Sequence, residues 1–462
     1  LCILFLPPQH EQANLFALAT GKQADLRRAK MTVDAGRGKP IAEGRHSVSA
    51  FNFMPEVKAA YEIPTPLGLI DSTIRKVIYT VGVRPTATDL LKICELLDEL
   101  GVGEESLNVW YRNGGANPQE MDAARTVTSG NFNFKINVFT DTMLGDGTQD
   151  MPLMRETIDR FGAMGIKLMN PGLLQPPNES ARSRQTDQMH EMAEYIRAAG
   201  MEWNATVANC GRRDFDAFVD LGNRAIAAGV RRFDLMDSTS ALSPQAMTHF
   251  VRTFRARMTK PTPLTMHTHD DFGMATAGTI AAVIAGASPD VALNGVSYRS
   301  GFAALEEVVL ALDVLYGADT GIRLDRLQSA SDRLAEIMAF PVPPLKPVVG
   351  YHQFLRESPQ DIAKIVAGKG PTDFAAMGSS VSPALTGSEY HWVWAAQGVP
   401  LIVQTVAGTL GVTLSEAEIA SICEQLEAIV ARQASYPKWA TAGDVEAAVQ
   451  GAVTARGMRA AE

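Results

Sequence analysis

No stretch of this 462-residue sequence stays apolar for the roughly 18 to 20 residues that a bilayer crossing needs. Positive charge is not in excess either. Lys and Arg total 42 against 51 Asp and Glu, a formal net charge of −9. A nucleic-acid or anionic-membrane role therefore has no electrostatic support. Cysteine is scarce: Cys2, Cys94, Cys210 and Cys423 lie far apart and form no CxxC pair. That excludes a zinc ribbon and a disulfide scaffold, and suits a reducing cytoplasm. With 46% apolar and 20% charged residues, the chain has the makeup of a folded protein with a large core.

The start of the chain carries little signal. Leu1–Leu6 is apolar but shorter than a signal-peptide core and lacks a basic flank, so it is not read as a signal. The first methionine is Met31, and what precedes it reads as a translated leader or a disordered arm. An irregular Gly/Pro-rich stretch continues to about Pro64. Residues 1–64 are thus expected to be an irregular N-terminal arm.

From residue 66 to about 316 the chain repeats. Runs rich in strand-forming residues stand at 67–73, 106–111, 134–140, 165–170, 202–208, 231–238, 263–269 and 290–297, with a helical pattern after each. Successive runs start 27 to 39 residues apart. That spacing predicts eight βα units, the arithmetic of a (β/α)8 TIM barrel, class α/β. A doubly wound sheet is the weaker reading, since no GxGxxG follows the first run. The first long helix shows its limits: Pro85 precedes it, Thr88 is available to cap it, a stripe from Leu90 to Leu100 lines one face, and Gly101 stops it.

In such a barrel, chemistry sits at the C-terminal ends of the strands. Those ends offer Arg75 and Lys76, Asn108 and Tyr111, Thr140 and Asp141, Asn170, Asn209 and Arg212, Asp237 and Ser238, His267, His269 and Asp270, then Ser297 and Arg299. Residues i and i+2 of a strand share a face, so His267 and His269 point into the same space. They form half of a divalent-metal site, or else two polar strand-end residues bonded to their neighbours. Arg75 offers a planar fork for a carboxylate or carbonyl oxygen, unless it pairs with Asp71 to close the barrel.

The segment HTHDDFGMATAGTIAAVIAGA (267–287) resembles the seventh-strand signature of the isopropylmalate synthase, homocitrate synthase and 3-hydroxy-3-methylglutaryl-CoA lyase superfamily, which reads HxHND-G-A before an Ala-rich helix. The resemblance extends in register. DSTIRKVIYTVGV (71–83) is similar to the family's first-strand segment, LLDELGV (96–102) follows it, and LMDSTS (235–240) resembles its sixth-strand end. NGVSYRSGFAALEEVVLAL (294–312) resembles its eighth-strand segment. MAFPVPPLKPVVGYHQFLRES (338–358) and LSEAEIASICEQLEAIV (414–430) resemble its linker and final helical subdomain.

The resemblance implies a divalent metal (Mg, Mn or Zn) on His267 and His269, with acyl-CoA as co-substrate. It also shows departures. The family's metal-binding Asp after the Arg is Lys76. Its second-strand Glu is Asn108, its eighth-strand Glu is Tyr298, and the Asn after its Gly is Phe302. The linker's His-Glu-Ser-Gly-x-His becomes Arg356-Glu357-Ser358-Pro359-Gln360-Asp361. An ammonium repels a divalent ion and has no lone pair while protonated. Several readings of Lys76 stay open. It supplies the positive charge the metal supplied, or it is a Schiff-base nucleophile, or the chain is an inert binding paralogue. Alternatively, Asp71, Asp237 or Asp270 completes a metal site after all.

What the resemblance implies is a carbon–carbon bond enzyme: Claisen-type condensation of an acyl-CoA with a 2-oxo acid, or the reverse lyase reaction. Arg75, Lys76, His267 and His269 are the expected catalytic residues. Arg75, Ser238, Asn108 and Arg299 are the expected substrate-binding residues. Residues 65–320 are expected to form the barrel domain, and 321–462 a linker and small, mostly helical C-terminal subdomains. Within them Ser415 and Glu418 make a capping box, ahead of a stripe of Ile419, Ile422, Leu426 and Ile429. In the family this region crosses to a second subunit, so a homodimer is expected, with no nucleic-acid or membrane partner.

Overall fold

The computed structural model describes residues 44–112 and 115–461. Most of the expected N-terminal arm, residues 1–43, lies outside them. Eight parallel strands close on themselves: β1 Ile70–Asp71, β2 Glu104–Arg112, β3 Lys135–Asp141, β4 Leu168–Pro171, β5 Glu202–Val207, β6 Arg232–Asp237, β7 Leu264–Thr268 and β8 Ser288–Val291. Closure runs through the short β1, which pairs with β8 (Ile70 opposite Asp290) and with β2 (Asp71 opposite Glu105). The TIM barrel is therefore present.

The repeat spacing works because each strand is followed by a helix that buries one face against it. The helices are α1 Thr73–Tyr79, α2 Ala87–Leu100, α3 Pro118–Ser129, α4 Met151–Ala163, α5 Glu179–Ala198, α6 Phe215–Ala227, α7 Pro244–Arg257, α8 Ala275–Ile284, α9 Leu305–Tyr316 and α10 Leu327–Met338. Helix α2 begins two residues earlier than the sequence suggests. Thr86, not Thr88, is its cap: its hydroxyl accepts from Asp89 N while Asp89 reaches back to Thr86 N. Gly101 ends α2 in the left-handed region at φ 84°, as expected. Between α6, α7 and β6, Phe218, Phe233 and Phe254 interlock with ring centroids 4.9 to 5.9 Å apart.

The barrel interior carries a fully paired ionic layer. The Arg232 guanidinium donates to both Glu104 oxygens (3.0 and 2.7 Å) and to both Asp234 oxygens (2.6 and 3.2 Å). Asn170 Nδ2 donates to Asp234 and Arg231 to Glu104. Burial pulls the Arg232 pKa down, but Asp234 and Glu104 outweigh it and the net shift is upward.

The main core runs past the barrel to Leu385, and a second core is built from Ile362, Trp392, Trp394, Ile402, Val403, Ile422, Leu426, Val445 and Val449. The second core is organised by a three-stranded sheet, β9 Leu355–Arg356, β10 His391–Trp394 and β11 Ala440–Thr441. It is flanked by α11 Pro359–Val366, α12 Pro400–Thr409, α13 Glu416–Arg432 and α14 Ala442–Ala461. The capping box at Ser415 and Glu418 is present at the start of α13, and Ile419, Ile422 and Leu426 are buried. Among the described residues no helix is long and apolar enough to cross a membrane.

Candidate active site

The mouth of the barrel is built around α1, an element the sequence reads as the end of a strand. Two carboxylates turn the chain there. Asp71 Oδ1 accepts from Thr73 N (2.8 Å), and Glu105 Oε1, from the neighbouring strand, accepts from Ile74 N (3.0 Å). Free amides at a helix start need such acceptors, and acids there also suit the helix dipole. The Thr73 hydroxyl accepts from Leu293 N (2.8 Å), and Ser72 Oγ donates to Asp290 Oδ1 (2.7 Å), pinning the helix to β8 and its loop. Arg75 and Lys76 are thus carried on a short, anchored helix rather than on a strand end.

Lys76 is 2% exposed. Its Nζ lies 3.1 Å from His267 Nε2 and 3.3 Å from His269 Nε2. The same nitrogen sits 4.2 Å from the centre of the Phe302 ring. Each imidazole is held from behind: His267 Nδ1 is 2.6 Å from Asp290 Oδ2, and His269 Nδ1 is 3.1 Å from the Gly301 carbonyl. Burial, then Arg75, pushes the Lys76 pKa well below its ordinary value, and Asp290 opposes them. Burial and then Lys76 push both histidines far down, so both imidazoles are neutral. Burial raises the Asp290 pKa, with Arg75 opposing.

Arg75 is equally enclosed. Its guanidinium stacks on Phe139 with Cζ 4.1 Å from the ring centre, and Nε and Nη1 have no hydrogen-bond partner. Asp71, the alternative partner, instead faces Glu105. Burial lifts the Asp71 pKa to about 6 and holds Glu105 well above the usual carboxylate range. Other buried polar atoms on the strands also lack partners: Asn108 Oδ1 and Tyr111 OH on β2, and Thr206 Oγ1 on β5. The Asn108 amide donates to Tyr79 OH (3.0 Å), and Tyr79 in turn donates to Glu120.

Ser238 and Arg299 belong to a separate rim cluster. The Arg299 fork closes on Asp271 (2.8 and 2.9 Å) and on the Ser238 carbonyl (2.7 Å), so the anion site expected there is filled from within. Ser238 Oγ accepts from Asn209 N (3.2 Å). Arg75, Lys76, His267 and His269 are brought together, with Asn108 beside them through Tyr79. A cavity of about 440 Å3 lies behind Phe302, the ring that faces Lys76, and reaches Thr80, Asn294, Arg299 and Lys346; Arg75, Lys76, His267 and His269 do not line it. Asp290, Tyr79 and Glu120 were missed by sequence reasoning. An acid inside the otherwise apolar run at 290–293 was the available signal for the first.

The residues present do not fit a divalent ion. The point on which both Nε2 lone pairs converge is filled by Lys76 Nζ. Asp237 is spent on the Ala241 and Leu242 amides, Asp270 on Ala275 N, and Asp71 on the start of α1. Among the described residues no three His, Cys, Asp or Glu side chains are grouped to hold a metal.

Known proteins resemble this chain across the barrel. The family model described as HMGL-like matches residues 67–334. A homocitrate synthase, AksA, of Methanopyrus kandleri is 31% identical over 316 residues, 68% of this chain and 77% of that protein. The (R)-citramalate synthase CimA of Methanocaldococcus jannaschii is 30% identical over 63% of this chain and 57% of its own length. A 2-isopropylmalate synthase of Caldanaerobacter subterraneus is 27% identical, covering 65% of this chain and 75% of that one. The matched stretch thus spans less than two thirds of the citramalate synthase.

Proposed function

This chain belongs to the HMGL-like family, and from that premise we propose that it makes carbon–carbon bonds by condensing an acyl-CoA with a 2-oxo acid. The acyl α-carbon, after losing a proton, adds to the keto carbon of the oxo acid. Water then cleaves the thioester, releasing coenzyme A thiol and a hydroxy diacid. The names of its relatives, citramalate, homocitrate and isopropylmalate synthases, support this reading.

The observation that carries it is the Arg75 guanidinium, buried with two unpartnered nitrogens in the barrel mouth. A buried donor left unsatisfied costs about 1–3 kcal/mol, more for a charged group. A 2-oxo acid would supply the missing acceptors through its keto and carboxylate oxygens. Arg75 would then stabilise the charge that grows on the keto oxygen as the bond forms. Asn108 Oδ1 and Tyr111 OH are available to the same substrate. Ser238 is assigned a role at the rim of the substrate pocket, with Arg299 as the strut that holds its carbonyl.

We place the protein in a reducing compartment, the cytoplasm, because Cys94, Cys210 and Cys423 are unpaired. We further assign it a homodimeric state, supported by the family resemblance of the C-terminal unit. Sedimentation at the monomer mass would remove that assignment.

The test is coenzyme A thiol release from acetyl-CoA and longer acyl-CoAs against a panel of 2-oxo acids. Release with at least one pair, lost in Arg75→Met, is the expected outcome. Oxo-acid binding by calorimetry without thiol release from any pair would replace the condensation by a binding role.

A further inference from the structure

We propose that Lys76 is a built-in cation that occupies the place of a divalent ion, so that this mouth works without metal. The claim rests on the mouth being the reaction site, as read above.

The imidazole lone pairs share a direction. The Gly301 carbonyl can only accept, so His269 carries its proton on Nδ1 and leaves Nε2 bare. His267 Nδ1 faces the Asp290 carboxylate, which fixes the same tautomer there. Both bare nitrogens therefore converge on one point. An outer carboxylate and a backbone carbonyl behind two histidines are the supports by which metal-binding imidazoles are oriented. What stands at the focus is Nζ, at 3.1 and 3.3 Å.

The surroundings of that nitrogen suit a positive charge. An ammonium has three N–H donors and no acceptor. Two meet imidazole lone pairs, and the Phe302 ring face, 4.2 Å away, takes the positive charge on a third side. A Schiff-base nucleophile needs its lone pair clear and aimed at a carbonyl carbon. Here those directions are taken by groups that want a proton or a positive charge. Burial and Arg75 work against the charge, and the two imidazole acceptors, the Phe302 face and Asp290 work for it, so the arrangement receives a cation rather than presenting an amine.

Lys76 Nζ also excludes an ion from the focus. A zinc ion bonds imidazole nitrogen at roughly 2.0–2.1 Å. An ion at that distance from both Nε2 atoms would press against Nζ, and the ammonium would repel it. Lys76 has little freedom to withdraw, because α1 is held by Asp71, Glu105 and Asp290 through Ser72. With Arg75 alongside, the mouth offers two fixed positive groups to a developing enolate or alkoxide oxygen.

Metal uptake tests this apart from turnover. The wild-type protein is incubated with Co2+ or Zn2+, passed through a desalting column and assayed for metal. It should retain none. Lys76→Asp should retain about one ion per chain with the absorption of imidazole-bound Co2+, and lose it when His267→Ala is added. Should Lys76→Asp fail to fold, Lys76→Ala empties the focus without adding a ligand. It should bind Ni2+ through the two imidazoles at least tenfold more tightly than the wild type. One ion per wild-type chain, lost in His267→Ala, would overturn the proposal. So would failure of every folded Lys76 variant to gain metal. A chain with no thiol release that still follows this pattern would sink the condensation reading and leave the lysine-for-metal assignment standing.

Discussion

Two buried arginines in one barrel have opposite surroundings. Arg232 spends its guanidinium on four carboxylate oxygens. Arg75 stacks on Phe139 and leaves Nε and Nη1 without a partner. Burial lowers both pKa values. For Arg232 the neighbouring carboxylates reverse the shift, and for Arg75 the Asp290 carboxylate does not. A saturated buried charge has no bond left to give a ligand. An unsaturated one is costly to the fold and is retained where a ligand pays that cost. The comparison separates framework from site more sharply than residue type, since the sequence shows both simply as arginines at or near strands.

The pair can be broken experimentally. Arg232→Met would leave Asp234 buried without a counterion and Glu104 with Arg231 alone. Breaking such a network costs about 3–5 kcal/mol, and a urea titration should show a loss of that size. Arg75→Met removes a guanidinium with few bonds and leaves a flexible apolar side chain in the space beside Phe139. Its stability should stay within about 1 kcal/mol of wild type, or rise. Thiol release should meanwhile fall by about 10²–10³, the usual effect of losing an oxyanion donor. Equal destabilisation by the two substitutions would remove the distinction.

The Asp71–Glu105 pair sharpens the comparison from the acidic side. Both carboxyls are fully buried in contact, and Asp71 is lifted to about 6. A carboxyl whose folded pKa lies above its unfolded value binds its proton more tightly when folded. Its stabilising contribution is complete below about pH 4 and disappears as pH rises through 6. A shift of about two units corresponds to about 3 kcal/mol. Glu105, raised further, carries the loss to higher pH. An amide at 71 needs no proton to face Glu105. Asp71→Asn should therefore be less stable relative to wild type at pH 4.5 than at pH 7.5, by about 2 kcal/mol. Parallel stability curves for the two proteins would show that no proton is shared.

How much was legible from sequence follows from the range of the forces involved. The barrel was visible because strand runs, helical stripes and Gly101-type stops are local, and eight repeats reinforce one another. Helix α1 was not, because STIRKVIY is rich in strand-forming residues. Its helical turn depends on Glu105, 31 residues from the amide it accepts. The position of Lys76 between two histidines was hidden for the same reason, since the contacts cross 191 and 193 residues. The resemblance placed Lys76 opposite a metal ligand but carried no information on where its nitrogen would rest. Arg299 looked like a free anion-binding arginine because Asp271, 28 residues away, gives no sign in sequence of pointing back at it.

The smallest expected effect contrasts the two cores. Helix α13 in the second core starts with a reciprocal box: Glu418 N donates to Ser415 Oγ, and Ser415 N donates to Glu418 Oε2 at 2.7 Å. Arg456 of α14 donates to the same carboxylate, so the box also ties two helices of this core together. Replacing a Ser cap by Ala costs about 1 kcal/mol. Ser415→Ala should produce that loss in the transition of the C-terminal unit, followed by the fluorescence of Trp392, Trp394 and Trp439, while Arg75-dependent thiol release stays at the wild-type rate. A cap loss that also moved a barrel probe such as Trp203 would mean that the two cores unfold as one. The unpaired charge in the mouth would then be carried by the stability of the whole chain rather than by the barrel alone.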